Sequence, residues 1–120
     1  MVTSEIIYRG RCFDIVGIAV NGTCHVREFI EHLDEANTKK VFALLQRAAE
    51  GGLPRNTEKF RHLEEKIYEF KSYQVRLLCF LEKGRVVVLT HGFMKKKDRT
   101  PRAEIEKAKG LMASYQGRKM

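Results

Sequence analysis

The 120-residue chain is poor in the features that most quickly reveal a function. It has three cysteines, two prolines, no tryptophan, and no apolar run near the roughly 18 residues that a membrane span requires. Cys12, Cys24 and Cys79 are odd in number and lack C-x-x-C spacing, which argues against a disulfide framework and a zinc ribbon. We therefore expect one domain over residues 1–120 with reduced thiols, a cytoplasmic location and no membrane partner.

The chain also lacks the short motifs of several enzyme classes. It contains no H-E-x-x-H, P-loop, G-x-S-x-G or dinucleotide-binding fingerprint. Metal-dependent hydrolysis, phosphoryl transfer from a nucleotide and serine hydrolysis are therefore poorly supported. His25 and His32 lie seven residues apart beside Cys24 and Glu28, but a solvated helix flank explains them better than a metal site. We predict no metal and no cofactor.

Acidic residues are scarce in the last third of the chain. The whole chain has 23 basic and 15 acidic residues, a net charge of +8, yet residues 85–120 contain 10 basic and only 3 acidic residues. The densest run is KKKDRTPR at 95–102. So many like charges are more favourable beside an anion, and nucleic-acid phosphate is the commonest such partner. The alternative is a solvated lysine-rich loop that only aids solubility.

The first half of the chain reads as strands followed by two helices. Residues 5–20 are rich in β-branched and aromatic residues and predict a strand or a hairpin broken at Gly10. Thr23 is expected to cap a helix ending near Leu33. A second helix should begin at Asn37 or Thr38 and end at Gly51-Gly52, forming an antiparallel hairpin with the first.

The second half reads as a β-meander and a closing helix. Residues 57–63 predict one short helical turn, and residues 66–70, 74–81 and 85–90 predict three antiparallel strands. Thr100-Pro101 is expected to start the last helix, with Thr100 as its N-cap. The result is a small α+β domain with its helices on one sheet face and the other face left for a ligand.

Several basic side chains are expected to meet near the end of the last strand. Arg76 alternates with Val75 and Leu77 in its own strand. His91 would begin the loop after the last strand, residues 85–90. We expect a concave cationic surface at this end of the sheet, formed by Arg76, His91, Lys95, Lys96, Lys97 and Arg99.

Such a surface could do chemistry on RNA without a metal, because RNA supplies its own 2′-hydroxyl nucleophile. His91 would do the acid–base work, and a lysine could replace it only where crowding by like charges lowers the lysine pKa. The alternatives are an Arg76 that pairs with Glu69 and a His91 that serves only as a structural hydrogen-bonding residue.

Several segments together resemble one protein family. The segments are KIYEF at 66–70, VRL at 75–77, VLTHGFMKKK at 88–97, TP at 100–101 and EIEKA at 104–108. They resemble the phage-derived, toxin-like branch of the RelE/HigB superfamily over roughly residues 24–115, and the HGF-x-KK block followed by TP is the most specific part.

The resemblance implies a RelE-like fold, with N-terminal strands, a helical hairpin packed on an antiparallel β-sheet and a C-terminal helix. It also implies the toxin of a type II toxin–antitoxin pair, a ribosome-dependent mRNA endoribonuclease that cleaves by 2′-hydroxyl attack. The implied partners are a cognate helix-turn-helix antitoxin, mRNA and the ribosome. Arg76 matches the arginine that contacts the scissile phosphate, and Lys95 and Lys96 match a basic position after the last strand.

The sequence departs from RelE in three respects. Ile67 and Glu69 stand where RelE has lysines, and no tyrosine occurs early in the last helix. His91 and the lysine run would then carry more of the chemistry. The predicted catalytic residues are Arg76, His91, Lys95 and Lys96. The predicted RNA-binding residues are Lys71, Tyr73, Lys97, Arg99 and Arg102. The alternatives are a toxin-like protein that binds RNA or inhibits another target, as ParE relatives do, and a phage or prophage accessory protein.

Overall fold

The structure, a computed structural model, describes residues 1–117 as one sheet flanked by three helices. The strands are β1 (Val2–Arg9), β2 (Asp14–Val20), β3 (Thr23–Cys24), β4 (Phe60–Glu64), β5 (Ile67–Ser72), β6 (Val75–Glu82) and β7 (Val86–Met94). The helices are α1 (His25–Glu31), α2 (Glu35–Gly51) and α3 (Arg102–Gly117). The predicted α+β class is confirmed, and the predicted strand region, residues 5–20, lies within a β1–β2 hairpin. No helix within residues 1–117 is long and apolar enough to cross a membrane.

The sheet has the order β1-β2-β7-β6-β5-β4, with β3 paired to β2. The predicted meander of β5, β6 and β7 is confirmed, and its turns use left-handed backbone at Tyr73, Gly84 and Arg85. Two features were not predicted. The β2–β7 pair is parallel, so the sheet is mixed. Residues 60–64 form strand β4, not a helical turn, because pairing with β5 outweighs the weak local preference of this segment.

Helices cover both faces of the sheet, which corrects the expectation of one open face. On one face, α1 and α2 pack against side chains such as Ile15, Leu77 and Leu89. On the other face, Tyr115 and Ala108 of α3 pack against alternate residues of the same strands. Alternation along each strand therefore supplies two cores. Only the part of the second face that lies beyond the start of α3 is left for a binding site.

Each helix begins at a different residue from the one predicted. Thr23 pairs with Val20 in the sheet, so α1 starts only at His25. Asp34 caps α2 by accepting a hydrogen bond from the Asn37 backbone N–H at 2.8 Å, three residues before the predicted cap. The third helix begins at Arg102, because the Thr100 hydroxyl is directed at the sheet and not at the helix terminus.

Strand β7 runs past the point where the sequence predicted its end. It includes His91, which was expected in a loop, and it contains a bulge at which Leu78 faces His91 while Cys79 faces Leu89. The extra residue is Thr90, whose hydroxyl donates to the Leu78 carbonyl at 3.1 Å. A bulge of one residue reverses the alternation of all side chains that follow. This reversal places His91, Phe93 and Lys95 on the α3 face of the sheet, the face that also carries Arg76.

Substituting Gly92 should show how tightly β7 packs against α1. A Cβ atom at this position would lie 2.4 Å from Phe29 Cδ2 and 2.7 Å from Leu77 Cδ2. We therefore expect Gly92→Ala to lower the free energy of unfolding by about 1–3 kcal/mol through overpacking, measured by urea denaturation. The matched control is Gly110→Ala at an exposed position of helix α3, where a Cβ atom would meet nothing within 4 Å. That change should raise stability by up to about 1 kcal/mol. Equal stabilities for the two variants would contradict this packing.

Candidate nucleic-acid interface

A buried carboxylate organises the uncovered part of the α3 face. Glu69 on β5 is 0% exposed. Its Oε1 accepts a hydrogen bond from Arg61 Nε at 3.1 Å and lies 3.9 Å from Arg76 Nε, while its Oε2 accepts from the Thr100 hydroxyl. Arg61 is the direct cross-strand neighbour of Glu69 on β4. Because a buried charge is tolerated only when it is paired, Glu69 fixes two arginines and the chain entering α3.

Arg76 lies beneath the surface with 7% of its side chain exposed. Its Nη1 donates to the Tyr73 carbonyl at 2.6 Å and to the Val75 carbonyl at 3.1 Å. Burial lowers the pKa of Arg76, and the nearby Glu69 carboxylate opposes that shift. An arginine stays protonated in proteins, so Arg76 is a fixed positive charge in the floor of the site. The Arg76–Glu69 pairing that the sequence left open is present.

Lys71 is the half-buried lysine of this region. It lies opposite Arg76 across β5 and β6. Burial is the largest cause that lowers its pKa, followed by the charges of Arg61 and Arg76, and Lys95 acts in the same direction. Glu69 opposes these effects. Burial, reinforced by crowding of cations, therefore lowers the pKa of Lys71, a residue that the sequence predicted only as an RNA-binding residue.

Partly and fully exposed basic residues surround Glu69, Arg61 and Arg76. Lys95 is tied to the β5–β6 turn by its backbone N–H, which donates to the Gln74 carbonyl at 2.6 Å, and its ammonium lies 3.4 Å from Asp98. Two open grooves of about 360 and 430 Å³ flank Thr100. We call the cations of this region the basic surface: Arg61, Lys71, Lys95, Lys96, Lys97, Arg99 and Arg102.

Arg102 differs from the other cations of the basic surface because it is already neutralised. Its guanidinium donates to both oxygens of Glu64, at 2.6 and 2.8 Å, and to Glu106 at 3.0 Å. These hydrogen bonds raise the pKa of Arg102 and, together with Lys109, lower the pKa of Glu64 to about 2. Arg102 therefore anchors the first turn of α3 to β4 as well as lining the grooves.

His91 is set apart from the basic surface. It is 2% exposed beneath α3, with its Nε2 2.9 Å from Glu104 Oε1 and its Nδ1 3.2 Å from the Thr90 hydroxyl. Phe93 is the next side chain on this face and is the cross-strand neighbour of Arg76, so it stands between His91 and the cluster. Burial lowers the pKa of His91, which keeps the ring neutral near pH 7. The structure thus brings together Arg76, Lys71 and Lys95, whereas Lys96 and Lys97 line the groove beside Arg99 and Thr100 and His91 lies apart.

Two residues of the site were not recognised from the sequence. Arg61 was assigned to a helical turn, and Thr100 was considered only as a helix cap. Reading residues 60–64 as a strand would have placed Arg61 across from Glu69, so the missing signal was the pairing of β4. Among residues 1–117, no three histidine, cysteine, aspartate or glutamate side chains are grouped to hold a metal ion.

Fold and site together define a class of protein. A small α+β chain with N-terminal strands, two helices packed on a mixed sheet and a closing helix is consistent with the RelE-like fold. Residues 28–113 match the family model described as "Phage derived protein Gp49-like (DUF891)". The match covers well over half of the chain, so the chain belongs to this family, which is RelE/HigB-like. No curated protein matches the chain significantly.

Removing the Thr100 hydroxyl should test the anchoring role of Glu69. In Thr100→Val the carboxylate loses a donor inside the protein, and a hydrogen bond to a charged group contributes about 1.5–3 kcal/mol. We expect a loss of about that size in the free energy of unfolding, measured by urea denaturation. Thr57→Val, at an exposed position, should change stability by less than about 0.5 kcal/mol. A Thr100→Val variant as stable as the wild type would show that Thr100 does not anchor this segment.

The burial of His91 should make stability depend on pH. Its pKa is lower in the folded state than the value near 6.5 of the unfolded chain. The unfolded state therefore binds the proton first, and the stability due to neutral His91 is complete above about pH 6.5 and is lost as the pH falls toward the folded-state pKa. Lys107 and His25 act with burial, whereas Glu104 opposes it.

We expect His91→Gln to show a shallower fall in the free energy of unfolding between pH 7 and 5 than the wild type does. His62→Gln, at an exposed position, is the control and should keep the wild-type slope. Denaturant titrations at a series of pH values measure both. An unchanged slope in His91→Gln would mean that protonation of His91 is not linked to folding.

Proposed function

We propose that the chain is the toxin of a type II toxin–antitoxin pair and a metal-independent endoribonuclease that cuts mRNA on the ribosome. The observation that carries the proposal is the position of Lys71. Its ammonium lies among Arg61, Arg76 and Lys95 at the edge of the exposed lysine run, and its pKa is lowered. An RNA phosphate would be attracted to this place, and a lysine there is suited to accept a proton.

The proposed reaction needs only groups of this site and of RNA. Neutral Lys71 accepts the proton of the 2′-hydroxyl as the 2′-oxygen bonds to phosphorus. The bond to the 5′-oxygen breaks, and the Lys95 ammonium returns a proton to that oxygen, leaving a 2′,3′-cyclic phosphate and a 5′-hydroxyl. Arg76 supplies fixed positive charge from beneath, where it stabilises the charge that develops on the phosphoryl oxygens. Lys96, Lys97 and Arg99 bind flanking phosphates.

The proposed antitoxin is a helix-turn-helix protein whose acidic segment covers the basic surface. Within residues 1–117, Arg102 is the cation of the basic surface whose charge is fully balanced by carboxylates. Of the other six, Arg61 pairs with Glu69 and Lys95 lies near Asp98, so most of the positive charge is left unbalanced. An acidic segment would complement the remaining charge and exclude RNA from it. Binding of the antitoxin would therefore inhibit the toxin by occupying the same surface as mRNA.

The burial of Arg76 and His91 favours a second candidate, a toxin-like protein that binds RNA without cutting it. Arg76 was expected to contact the scissile phosphate and His91 to transfer a proton, yet only 6% of Arg76 and 2% of His91 is exposed. Such a protein would still use the basic surface. It would arrest translation by occupancy, and the ends of the mRNA would remain unchanged.

Two substitutions of Lys71 separate a role in proton transfer from a role in charge alone. Lys71→Met removes the charge, and Lys71→Arg keeps the charge but cannot release a proton near neutral pH. General base catalysis contributes about 10²- to 10⁴-fold, so we expect both variants to lose cleavage by about that factor. Primer extension on mRNA from translating ribosomes measures the cleavage, and growth after induced expression is a second measurement.

The matched control is Lys83→Met, an exposed lysine in the β6–β7 turn at the far end of β6. This variant should cut mRNA and arrest growth as the wild type does, with circular dichroism confirming that all variants fold. Cleavage retained in Lys71→Arg but lost in Lys71→Met would leave Lys71 only a phosphate-binding role. Growth arrest by the wild type with intact mRNA would favour the second candidate.

A further inference from the structure

A second group of cations lies on the opposite side of the β5–β6 turn, against α2. It lines a cleft of about 150 Å³ that we call the α2 cleft. Its lining residues are Lys40, Ala43, Leu44, Arg47, Lys59, Lys71, Ser72 and Tyr73. Three of these residues, Lys40, Arg47 and Lys59, are the cations of the cleft, and no acidic residue lines it. Lys40 and Arg47 come from α2, and Lys59 comes from the chain before β4. Lys71 borders the cleft but presents its side chain to the other face of the sheet, beside Arg76.

Within residues 1–117, none of the three cations Lys40, Arg47 and Lys59 forms an ion pair with a carboxylate. The Lys40 ammonium lies 4.2 Å from the centroid of the Tyr73 ring, and the Lys59 ammonium lies 5.5 Å from it. Two ammonium groups held near one ring repel each other, and a bound anion would relieve that repulsion.

Tyr73 is held in an arrangement that the fold does not require. It is 65% exposed and has φ of +56°, a left-handed conformation in which glycine or asparagine would be less strained than tyrosine. Its carbonyl accepts the 2.6 Å hydrogen bond from Arg76, and any residue at this position could supply that carbonyl. An exposed ring in strained backbone beside cations is the arrangement expected where a ring has a ligand to stack on.

We infer that the α2 cleft binds one nucleotide of single-stranded RNA, with its phosphate between Arg47 and the lysines and its base on the Tyr73 ring. Base stacking on an aromatic side chain beside a cationic groove is a general mode of single-strand binding. An acidic protein segment would use the cations but would gain little from an exposed ring. The inference rests on the proposed function for its choice of RNA, and it extends that function because the cleft lies just across the β5–β6 turn from the basic surface.

Tyr73 offers a test in which binding and stability are separable. Tyr73→Gly removes the ring but relieves the left-handed strain, which offsets the greater freedom of glycine in the unfolded chain, so stability should stay near that of the wild type. The probe is a fluorescein-labelled single-stranded 12-mer of 2′-O-methyl RNA, which cannot be cut by 2′-hydroxyl attack. In fluorescence polarisation we expect Tyr73→Gly to weaken binding by about 5- to 100-fold. Tyr73→Phe, which keeps the ring, should bind as the wild type does.

The charges of the cleft are tested by the double variant Lys40→Gln/Arg47→Gln. We expect weaker binding and a shallower dependence of log K on log salt concentration, by about 0.7 for each phosphate no longer neutralised. The matched control Lys39→Gln/Arg55→Gln removes two exposed charges outside the cleft and should keep more of both the affinity and the salt slope. Wild-type affinity in Tyr73→Gly, or equal effects of the two double variants, would overturn the inference.

Two further outcomes separate this inference from its alternatives. If a 12-residue polyglutamate peptide binds the wild type more tightly than the RNA does and loses affinity in the cleft variant, then the cleft takes an acidic protein and the inference is wrong. If cleavage of mRNA needs Lys71 while both cleft variants bind the oligonucleotide normally, the inference fails and the proposed function stands. If the cleft variants lose RNA binding but the wild type cuts no mRNA, the inference stands and the proposed nuclease function is wrong.

Discussion

The carboxylate of Glu69 is buried in a protein whose net charge is +8, and the elements around it supply it with cations and a hydroxyl donor. A buried carboxylate without partners would be strongly destabilising. Arg61 from β4, Arg76 from β6 and Thr100 from the chain before α3 all converge on it. One carboxylate thus joins three strands and a helix start, and it holds two guanidinium groups that would otherwise repel each other.

The same arrangement explains why further cations can gather next to it. Glu69 is one negative charge facing two arginines, so the cluster keeps an excess of positive charge. Lys71 and Lys95 increase this excess of positive charge. Burial and the neighbouring cations together lower the pKa of Lys71. A site that contributed only to stability would be expected to balance its charges, as Glu64, Glu65 and Glu106 do with Arg102 and Lys109 where α3 packs beside β4. The excess positive charge is what the proposed binding of an RNA phosphate requires.

The sequence was informative wherever local pattern decides structure, and less so wherever pairing between distant segments decides it. Alternation around Arg76 correctly separated its face from that of Val75 and Leu77, and the turn at Gly84 was recognised. Strand β4 was not predicted because residues 60–64 have little strand preference of their own and form a strand by pairing with β5. The bulge at Thr90 could not be predicted, since its cause is a hydroxyl bonded to a carbonyl of the next strand. That bulge decided the face on which His91 and Lys95 lie.

The departures from RelE are best understood on β5 itself. Residues 67, 69 and 71 alternate onto one face of this strand, so Ile67, Glu69 and Lys71 present their side chains to the same side. Ile67 packs beneath α3 and Glu69 is buried among arginines, which leaves Lys71 as the one ionisable side chain of the three that reaches the surface. In the proposed function, Glu69, which stands where RelE has a lysine, therefore supports the site from beneath, and Lys71 on the same face is the residue that would contact the RNA.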